Sequence, residues 1–204
     1  YIKAIAGTYA LKKDNTVWDF STGTCIQVPE LTNIVSISGS WLMDFTVHAI
    51  KLDGTVYALG SNKHGQYGDG TKVSSDIPVI VPQLKDFKMI EYGWNHCIGI
   101  NGDNAVFTWG NNNAGQLGGN NGEDYCNRPS PNKISNLQNV SSIANGLKYG
   151  MAIKGDGTVW SWGDNSFGQL GFSEAHSVST PTKIPELSNA KMAACGTDFS
   201  VVLK

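Results

Sequence analysis

The sequence repeats itself, and this feature limits the chain to a small set of folds. A nine-residue motif, G-x-N-x-x-G-Q-[LY]-G, occurs three times and begins at Gly60, Gly110 and Gly163. Successive copies are therefore 50 and 53 residues apart. Each copy follows a turn that starts with aspartate and a short apolar strand, as in Asp156-Gly157-Thr158-Val159-Trp160. A period of this size is typical of solenoids, propellers and repeat arrays.

A shorter, degenerate copy precedes these three. Asp14-Asn15-Thr16-Val17-Trp18 matches the turn and strand, and Val28-Pro29-Glu30-Leu31 matches Ile184-Pro185-Glu186-Leu187. Only residues 21–25 stand where the glycine-rich loop would be, so that loop is missing. We divide the single repeat domain, 1–204, into units 1–40, 41–93, 94–146 and 147–196, with the first strand of a further unit in 197–204.

Each unit is predicted to contain four short strands, as in residues 150–154, 158–162, 182–184 and 190–194. No segment keeps a helical period for the roughly ten residues that a helix prediction needs. The Asp-Gly pairs predict two-residue type I′ hairpins, in which both central residues have positive φ. Four-stranded sheets at this period predict an all-β fold, a β-propeller of four-stranded antiparallel blades with about four blades in this chain.

The repeated motifs resemble the regulator of chromosome condensation repeat family. The resemblance is carried by Gly93-x-x-His96, the Asp-Gly-Thr-Val turn and the Trp-Gly-x-Asn-x-x-Gly-Gln-Leu-Gly segment. It implies a propeller that is usually seven-bladed and closed by strands from both ends of the chain. Seven blades would need roughly 350 residues, so three explanations stay open: an excised fragment of a longer parent chain, an open partial propeller, or a ring completed by a second copy as a homodimer.

The composition excludes several classes of protein. Charged residues are only 16% and hydrophobic residues 40%, which is unlike a disordered chain. The formal charge is −2 and Arg128 is the only arginine, which argues against a nucleic-acid binder. No apolar run reaches the roughly 18 residues of a membrane span, so membrane insertion is not expected.

No catalytic or cofactor motif is present, and we expect neither an enzyme nor a bound cofactor. The four histidines fall at unrelated repeat positions, and His96 stands where later copies have Tyr149 and Phe199, which favours packing. The turn aspartates come singly, without the clustered ligands of a calcium site, so no metal is expected. The four cysteines lack the C-x-x-C spacing of zinc sites, and their even number permits two disulfides.

The motif residues themselves are expected to be structural. Glycine permits positive φ and close backbone approach. Asn62, Asn112 and Asn165 can cap their own loops. Gln66, Gln116 and Gln169 are expected to bond neighbouring strands.

Positions at which the repeats differ are the candidates for partner binding, because they are not required for packing one repeat against the next. Trp41 and Trp94 follow the equivalent residues Ser40 and Gly93, and would form an aromatic patch on one rim or fill gaps between blades. The loop 119–128 is three residues longer than its counterparts and carries Tyr125 and Arg128. It would be a contact loop or a tolerated insertion.

The sequence therefore predicts a non-enzymatic module that binds a protein partner through rim loops. The resemblance implies the same, since family members include exchange factors, scaffolds and secreted bacterial inhibitors of β-lactamases. One alternative is a carbohydrate- or cell-surface-binding propeller that uses Trp41, Trp94 and Tyr125. Another is a fragment of a larger propeller enzyme. The excess of lysine over arginine and the abundant asparagine favour a bacterial source, with an extracellular or cell-surface location.

Overall fold

The computed structural model describes residues 1–40, 45–119, 125–173 and 176–204. These residues form strands in five antiparallel sheets and one short 3-10 helix, Pro82–Leu84.

We call the sheets blades 1 to 4 and half-blade 5. Blade 1 contains β1 Ile2–Ala6, β2 Tyr9–Lys12, β3 Val17–Asp19 and β4 Ile26–Gln27. Blade 2 contains β5 Ile34–Gly39, β6 Thr46–Lys51, β7 Val56–Gly60 and β8 Ser75–Ile80. Blade 3 contains β9 Phe87–Tyr92, β10 His96–Asn101, β11 Val106–Gly110 and β12 Arg128–Lys133. Blade 4 contains β13 Val140–Asn145, β14 Tyr149–Lys154, β15 Val159–Gly163 and β16 Val178–Lys183, and half-blade 5 contains β17 Met192–Cys195 and β18 Ser200–Leu203.

The blades are arranged around a common axis. Within a sheet, strands that are hydrogen-bonded neighbours are also consecutive in sequence. The first strands of successive sheets contact one another, β1 with β5, β5 with β9, β9 with β13 and β13 with β17. The first strand of each blade is therefore innermost and the fourth is outermost. The predicted all-β propeller with about four four-stranded antiparallel blades is confirmed.

The sequence repeat and the blade are offset by one strand. The unit 147–196 ends with a strand that the structure places in β17, and β17 is hydrogen-bonded to β18 in the next sheet. The same holds at Gly93 and Gly146, which directly follow β9 and β13. Each repeat unit therefore begins in one blade and ends in the next, which ties neighbouring blades together covalently.

The apolar core lies between blades rather than within one sheet. Four clusters of buried side chains each combine residues from two successive sheets. Between blades 2 and 3, for example, Val56 and Tyr67 pack with Ile90 and Trp109. Trp109 and Trp162 are the largest fully buried side chains. Burying side chains of this size is the main stabilising contribution that one blade receives from the next.

The Asp-Gly turns differ from the prediction. Only the second residue of each pair has positive φ, at Asn15, Gly54, Asn104 and Gly157. The Gly54 amide donates to the Lys51 carbonyl at 3.0 Å and the Lys51 amide to the Thr55 carbonyl at 2.8 Å. This is a type I turn followed by a left-handed bulge residue, so the type I′ prediction was wrong. The Asp53 carboxylate accepts a hydrogen bond from the Thr55 amide, and this hydrogen bond lowers the pKa of that exposed carboxyl group.

Candidate interaction face

Two sets of loops lie at the same end of the propeller. Strand direction alternates within a blade, so the loop between the first and second strands and the loop between the third and fourth share one end. In blade 3 the register pairs His96 with Gly110 and Gly110 with Arg128. We call this end the loop face, and the opposite end, which carries the Asp-containing turns, the turn face.

Trp94 lies on the loop face close to the axis. Its amide donates to the Leu147 carbonyl at 3.1 Å, and its carbonyl accepts from the Ser40 hydroxyl at 3.2 Å. These two hydrogen bonds hold the Trp94 backbone between blades 2 and 4. The side chain remains 39% exposed, and the Lys148 ammonium lies 5.6 Å from its ring centre. The structure thus presents an anchored, partly exposed indole beside a cation.

Trp41, the other predicted tryptophan of this patch, lies outside the described residues. Phe45, farther along the same loop, is described and stacks on Tyr9 of blade 1, with ring centres 5.5 Å apart and an interplanar angle of 16°. Phe45 also covers Gly7, where a Cβ atom would overlap its ring. Phe45, the residue before β6, therefore packs onto blade 1, the blade that lacks the glycine-rich loop. Sequence analysis missed this contact.

Tyr125 and Arg128 lie on the same face but farther from the axis. Tyr125 is 47% exposed. Arg128 is the first residue of the outermost strand of blade 3, and its guanidinium lies beside Gly119. Because His96 and Arg128 are separated by two strand spacings, Arg128 lies about 10 Å outward from the start of β10. The loop face therefore contains Trp94, Tyr125 and Arg128 without bringing them into one cluster.

The glycine-rich loops are structural, and one predicted detail was wrong. The Asn62 side-chain oxygen accepts from the Tyr67 amide at 2.9 Å, as expected of a loop cap. The Gln66 side-chain oxygen accepts from the His64 amide at 2.8 Å, inside its own loop rather than on a neighbouring strand. The main-chain carbonyl of Gln66 makes the contact with the next blade, accepting from the Trp109 indole at 2.8 Å.

The cavity at the axial end of the loop face is small. It measures about 50 Å³ and is lined by residues that include Trp94, Leu147 and Thr197. Small-molecule sites usually occupy about 300–1,000 Å³. Near the axis, the chemistry available is therefore surface contact through exposed side chains rather than enclosure of a small ligand.

A buried polar chain lies between blades 2 and 3. The Tyr92 hydroxyl and His48 Nδ1 are 2.7 Å apart, and His48 Nε2 lies 3.0 Å from the Tyr67 carbonyl. The Tyr67 carbonyl can only accept a hydrogen bond, so His48 carries its proton on Nε2 and donates there, and Nδ1 accepts a hydrogen bond from the Tyr92 hydroxyl. Burial lowers the pKa of His48 to about 4 and raises that of the Cys97 thiol. Cys97 is therefore an inert thiol rather than a nucleophile.

His96 is also buried and neutral. Its Nε2 atom lies 3.0 Å from the Asn145 side-chain oxygen, while the Asn145 side-chain amide donates to the Glu91 carbonyl at 3.1 Å. Burial lowers the pKa of His96 to about 4. His96 therefore joins β10 to the inner strand of blade 4, in keeping with a packing role.

Three further observations concern metals, disulfides and membranes. Among the described residues, no group of three or more histidine, cysteine or acidic side chains is placed to hold a metal ion. The four cysteines, all of which are described, form no disulfide with one another. Within the same described ranges, no helix has the length and apolar character needed to cross a bilayer.

Comparison with known sequences identifies the repeat. The family model described as regulator of chromosome condensation (RCC1) repeat matches residues 53–100, 103–153 and 156–203. The ultraviolet-B receptor UVR8 of Arabidopsis thaliana is 30% identical over 154 residues, which are 72% of this chain and 34% of that protein. The E3 ubiquitin-protein ligase HERC2 of Homo sapiens is 30% identical over 163 residues, which are 76% of this chain and 3% of that protein. This chain thus spans about a third or less of these relatives.

Solved structures show the same fold. Prp20p of Saccharomyces cerevisiae superposes with a TM-score of 0.83 at 24% identity, covering 96% of this chain and 53% of that chain. Human WBSCR16 superposes with a TM-score of 0.78 at 21% identity, covering 96% and 55%. The three matched repeats extend over most of the chain, from the turn of blade 2 to β18. On these grounds the chain belongs to the regulator of chromosome condensation (RCC1) repeat family.

Proposed function

We propose that this chain is a non-enzymatic protein-interaction module whose loop face binds a macromolecular partner. The observation that carries the proposal is the state of Trp94. Its backbone is held by hydrogen bonds to blades 2 and 4, yet its side chain is 39% exposed beside Lys148. A large aromatic side chain on a backbone that is already held in place requires little further ordering of the main chain on binding, which suits a binding hot spot.

The chemistry of the interior supports a binding rather than a catalytic role. His48 and His96 are buried and neutral at pH 7, and the Cys97 thiol is protonated. None of these side chains is placed on the loop face with a reacting partner. The formal charge of −2 also makes a protein a better partner than a nucleic acid.

The relatives suggest which partners to test first. The solved structure of Prp20p is described together with its binding to Gsp1p and histones, and another shows Kap60 bound to it. We therefore propose proteins of these kinds as probes. The carbohydrate-binding alternative uses the same indole and is tested with the same variants.

The test uses a matched pair of tryptophan variants. Trp94 lies on the loop face and Trp160 on the turn face. Each indole ring has a lysine ammonium over it, that of Lys148 over Trp94 and that of Lys154 over Trp160. We expect Trp94→Ala to weaken binding of a responsive probe about tenfold or more, as truncating a hot spot does. Trp160→Ala should change affinity less than about twofold. Affinity for Gsp1p, histones and Kap60 would be measured by biolayer interferometry.

Other results would overturn the proposal. If none of the probes binds, and a glycan array gives a signal that Trp94→Ala abolishes, the carbohydrate-binding function replaces it. If Trp160→Ala and not Trp94→Ala weakens a protein probe, the interface lies on the turn face.

The assembly state and location are further proposals. We propose that a longer parent chain or a homodimer completes the ring, and light scattering of this chain would separate a dimer from a 21.9 kDa monomer. An extracellular bacterial location also stays a prediction. The relatives named above come from a plant, human and yeast.

A further inference from the structure

The glycine-rich loops fill two of the junctions between blades. Between blades 2 and 3, the Trp109 indole N–H donates to the Gln66 carbonyl at 2.8 Å. Between blades 3 and 4, the Trp162 indole donates to the Gln116 carbonyl at 2.9 Å. Both tryptophans are fully buried. The loop of one blade therefore covers the third strand of the next.

The same loops also cover the fourth strand of the next blade. A Cβ atom on Gly65 would overlap Pro129, and one on Gly115 would lie 2.8 Å from Ser179. The strand register makes Pro129 and Ser179 equivalent residues of blades 3 and 4, and Asp76 is the equivalent residue of blade 2. Position 76 is therefore one that the loop of a preceding blade would cover.

The junction between blades 1 and 2 lacks this cover, although both blades have four strands. Blade 1 has no glycine-rich loop, and Leu59 stands where blades 3 and 4 have a tryptophan. An open cleft of about 540 Å³ lies at this junction on the loop face, and its lining includes Leu59, Ser74 and Asp76. This volume is within the range of about 300–1,000 Å³ that ligand sites occupy.

Two carboxylates line the cleft, one from each blade. The Asp19 carboxylate accepts hydrogen bonds from the Ser21 amide and the Ser21 hydroxyl, both at 2.8 Å, which hold it in place. Asp76 is exposed. Burial and the negative charges of Asp19 and Asp76 raise the pKa of Tyr9, which also lines the cleft, to about 12. Both carboxylates therefore act on the same hydroxyl group.

The lining of the cleft favours a planar cation. Among the described residues that form it, there are two carboxylates and one ammonium group, that of Lys63. The rings of Tyr9 and Phe45, which stack on each other, form another part of the lining. A guanidinium group pairs with carboxylates through its fork of N–H donors and also stacks on aromatic rings, whereas a lysine ammonium is a compact point charge. Arginine therefore fits this lining better than lysine does.

We propose that the cleft between blades 1 and 2 binds an arginine side chain of a protein partner. The guanidinium group pairs with Asp19 and Asp76, and its plane lies against the rings of Tyr9 and Phe45. The inference rests on the function proposed for the loop face, because the cleft opens on that face, and it adds the chemistry of the partner.

The first test uses a small probe, N-acetyl-arginine amide. The isotope-labelled chain would be titrated with it and followed by NMR. We expect saturable shifts of the Thr8, Ser21 and Ser61 amide resonances, with a dissociation constant of about 1 mM, as is usual for a ligand of this size. N-acetyl-citrulline amide has nearly the same shape but no charge, so it should bind about fivefold or more weakly.

A matched pair of variants separates the cleft from the general charge of the face. Asp76→Ser should weaken binding of the arginine amide about threefold, because one of the two carboxylates is lost. Serine is the residue at the equivalent position of blade 4, Ser179, so the strand should tolerate it. Asp164→Asn removes the same charge from the loop face of blade 4 and should change the affinity less than about 1.5-fold, since distant exposed charges are screened.

The same two variants are then applied to a protein probe that binds the loop face, and only Asp76→Ser should weaken its binding. If no protein probe binds, the function proposed for the loop face fails, while the arginine titration still decides whether the cleft is a site. The proposal is overturned if citrulline amide binds as well as arginine amide, if both variants act equally, or if a bound protein probe is insensitive to Asp76→Ser. Tighter binding of N-acetyl-lysine amide would assign the cleft to lysine instead.

Discussion

The indole N–H of Trp109 donates to the main-chain carbonyl of Gln66 at 2.8 Å, although 43 residues separate them. Gln66 is the seventh residue of the glycine-rich motif, and its side chain keeps the loop in shape by accepting from the His64 amide. The loop therefore has two roles. Its side chains stabilise its own backbone, and its backbone carbonyl holds the next blade.

The two indole hydrogen bonds should differ in their contribution to stability. Trp162→Phe keeps an aromatic ring but leaves the Gln116 carbonyl without its indole donor, which should cost about 1–3 kcal/mol of unfolding free energy. Trp109→Phe should cost less, because the Cys97 thiol still donates to the Gln66 carbonyl. Urea denaturation of the two variants measures the difference. Equal losses would show that ring size and not the hydrogen bond decides the cost.

Restoring a hydrogen bond in the first full loop should stabilise the chain. In the loop of blade 3, the Gln116 side-chain amide donates to the Asn111 side-chain oxygen at 2.8 Å. The equivalent residues in blade 2 are Gln66 and Ser61, and their side-chain nitrogen and hydroxyl are buried without a partner among the described residues. Serine is too short to reach the glutamine.

We expect Ser61→Asn to raise the unfolding free energy by about 1 kcal/mol, the usual contribution of a new hydrogen bond between buried groups. Ser61→Ala, which removes the hydroxyl without adding a partner, is the control and should be close to neutral. Thermal melts would measure both. A destabilised Ser61→Asn would show that the buried space cannot hold the longer side chain.

The two buried histidines should make the fold sensitive to acid. Burial lowers the pKa of both His48 and His96 to about 4, below the ordinary value of 6.5. The folded state then favours the neutral rings while the unfolded chain binds protons below pH 6.5. Their contribution to stability is complete above pH 6.5 and is lost as the pH falls toward 4, by about 3 kcal/mol for each histidine.

His96→Tyr should reduce this acid sensitivity by about half, because the residue equivalent to His96 in blade 4 is Tyr149 and His48 remains. The measurement is the urea midpoint between pH 7.5 and 4.5. Burial raises the pKa of Glu91, which acts in the opposite direction at the acid end in both proteins and so cancels in the comparison. A wild-type midpoint that stays constant over this range would contradict the prediction.

A pair of glycines separates backbone strain from packing against the next blade. Gly115 and Gly168 have nearly the same φ, 74° and 78°, so alanine is strained at both. A Cβ atom at position 115 would also lie 2.8 Å from Ser179, whereas at position 168 it would meet nothing. We expect Gly115→Ala to destabilise the chain by about 1–3 kcal/mol more than Gly168→Ala, the usual cost of overpacking. Chemical denaturation of both variants tests this. Equal losses of unfolding free energy would mean that Ser179 in blade 4 moves aside without destabilising the fold.

Much of the fold follows from local patterns in the sequence. The 50-residue period, the strand spacing and the glycine positions were enough to predict four-stranded blades, because each is a property of a short segment. The turn type was not predicted correctly. Asp-Gly suits both a type I′ turn and a type I turn with a bulge, and the register between β6 and β7 selects the second.

The candidate site was predicted only in part. The sequence marked Trp94, Tyr125 and Arg128 as variable positions. It did not decide whether Trp94 is buried between blades or exposed on the rim. The contact of Lys148 with Trp94, and that of Phe45 with Tyr9, was not foreseen. Lys148 could have been found, since it follows Gly146 by two residues in the loop equivalent to that of Trp94. Whether any of these residues binds a partner stays a prediction.

The sequence alone determined the repeat, the order of strands and the loops whose glycines need positive φ, because these depend on neighbouring residues and on a regular period. Only the tertiary structure decided which carbonyl receives which indole, how the blade without a loop is packed, and which tryptophan stays exposed. These contacts join residues about 35 to 55 positions apart. They depend on how one sheet is placed against the next, and no short segment contains that information.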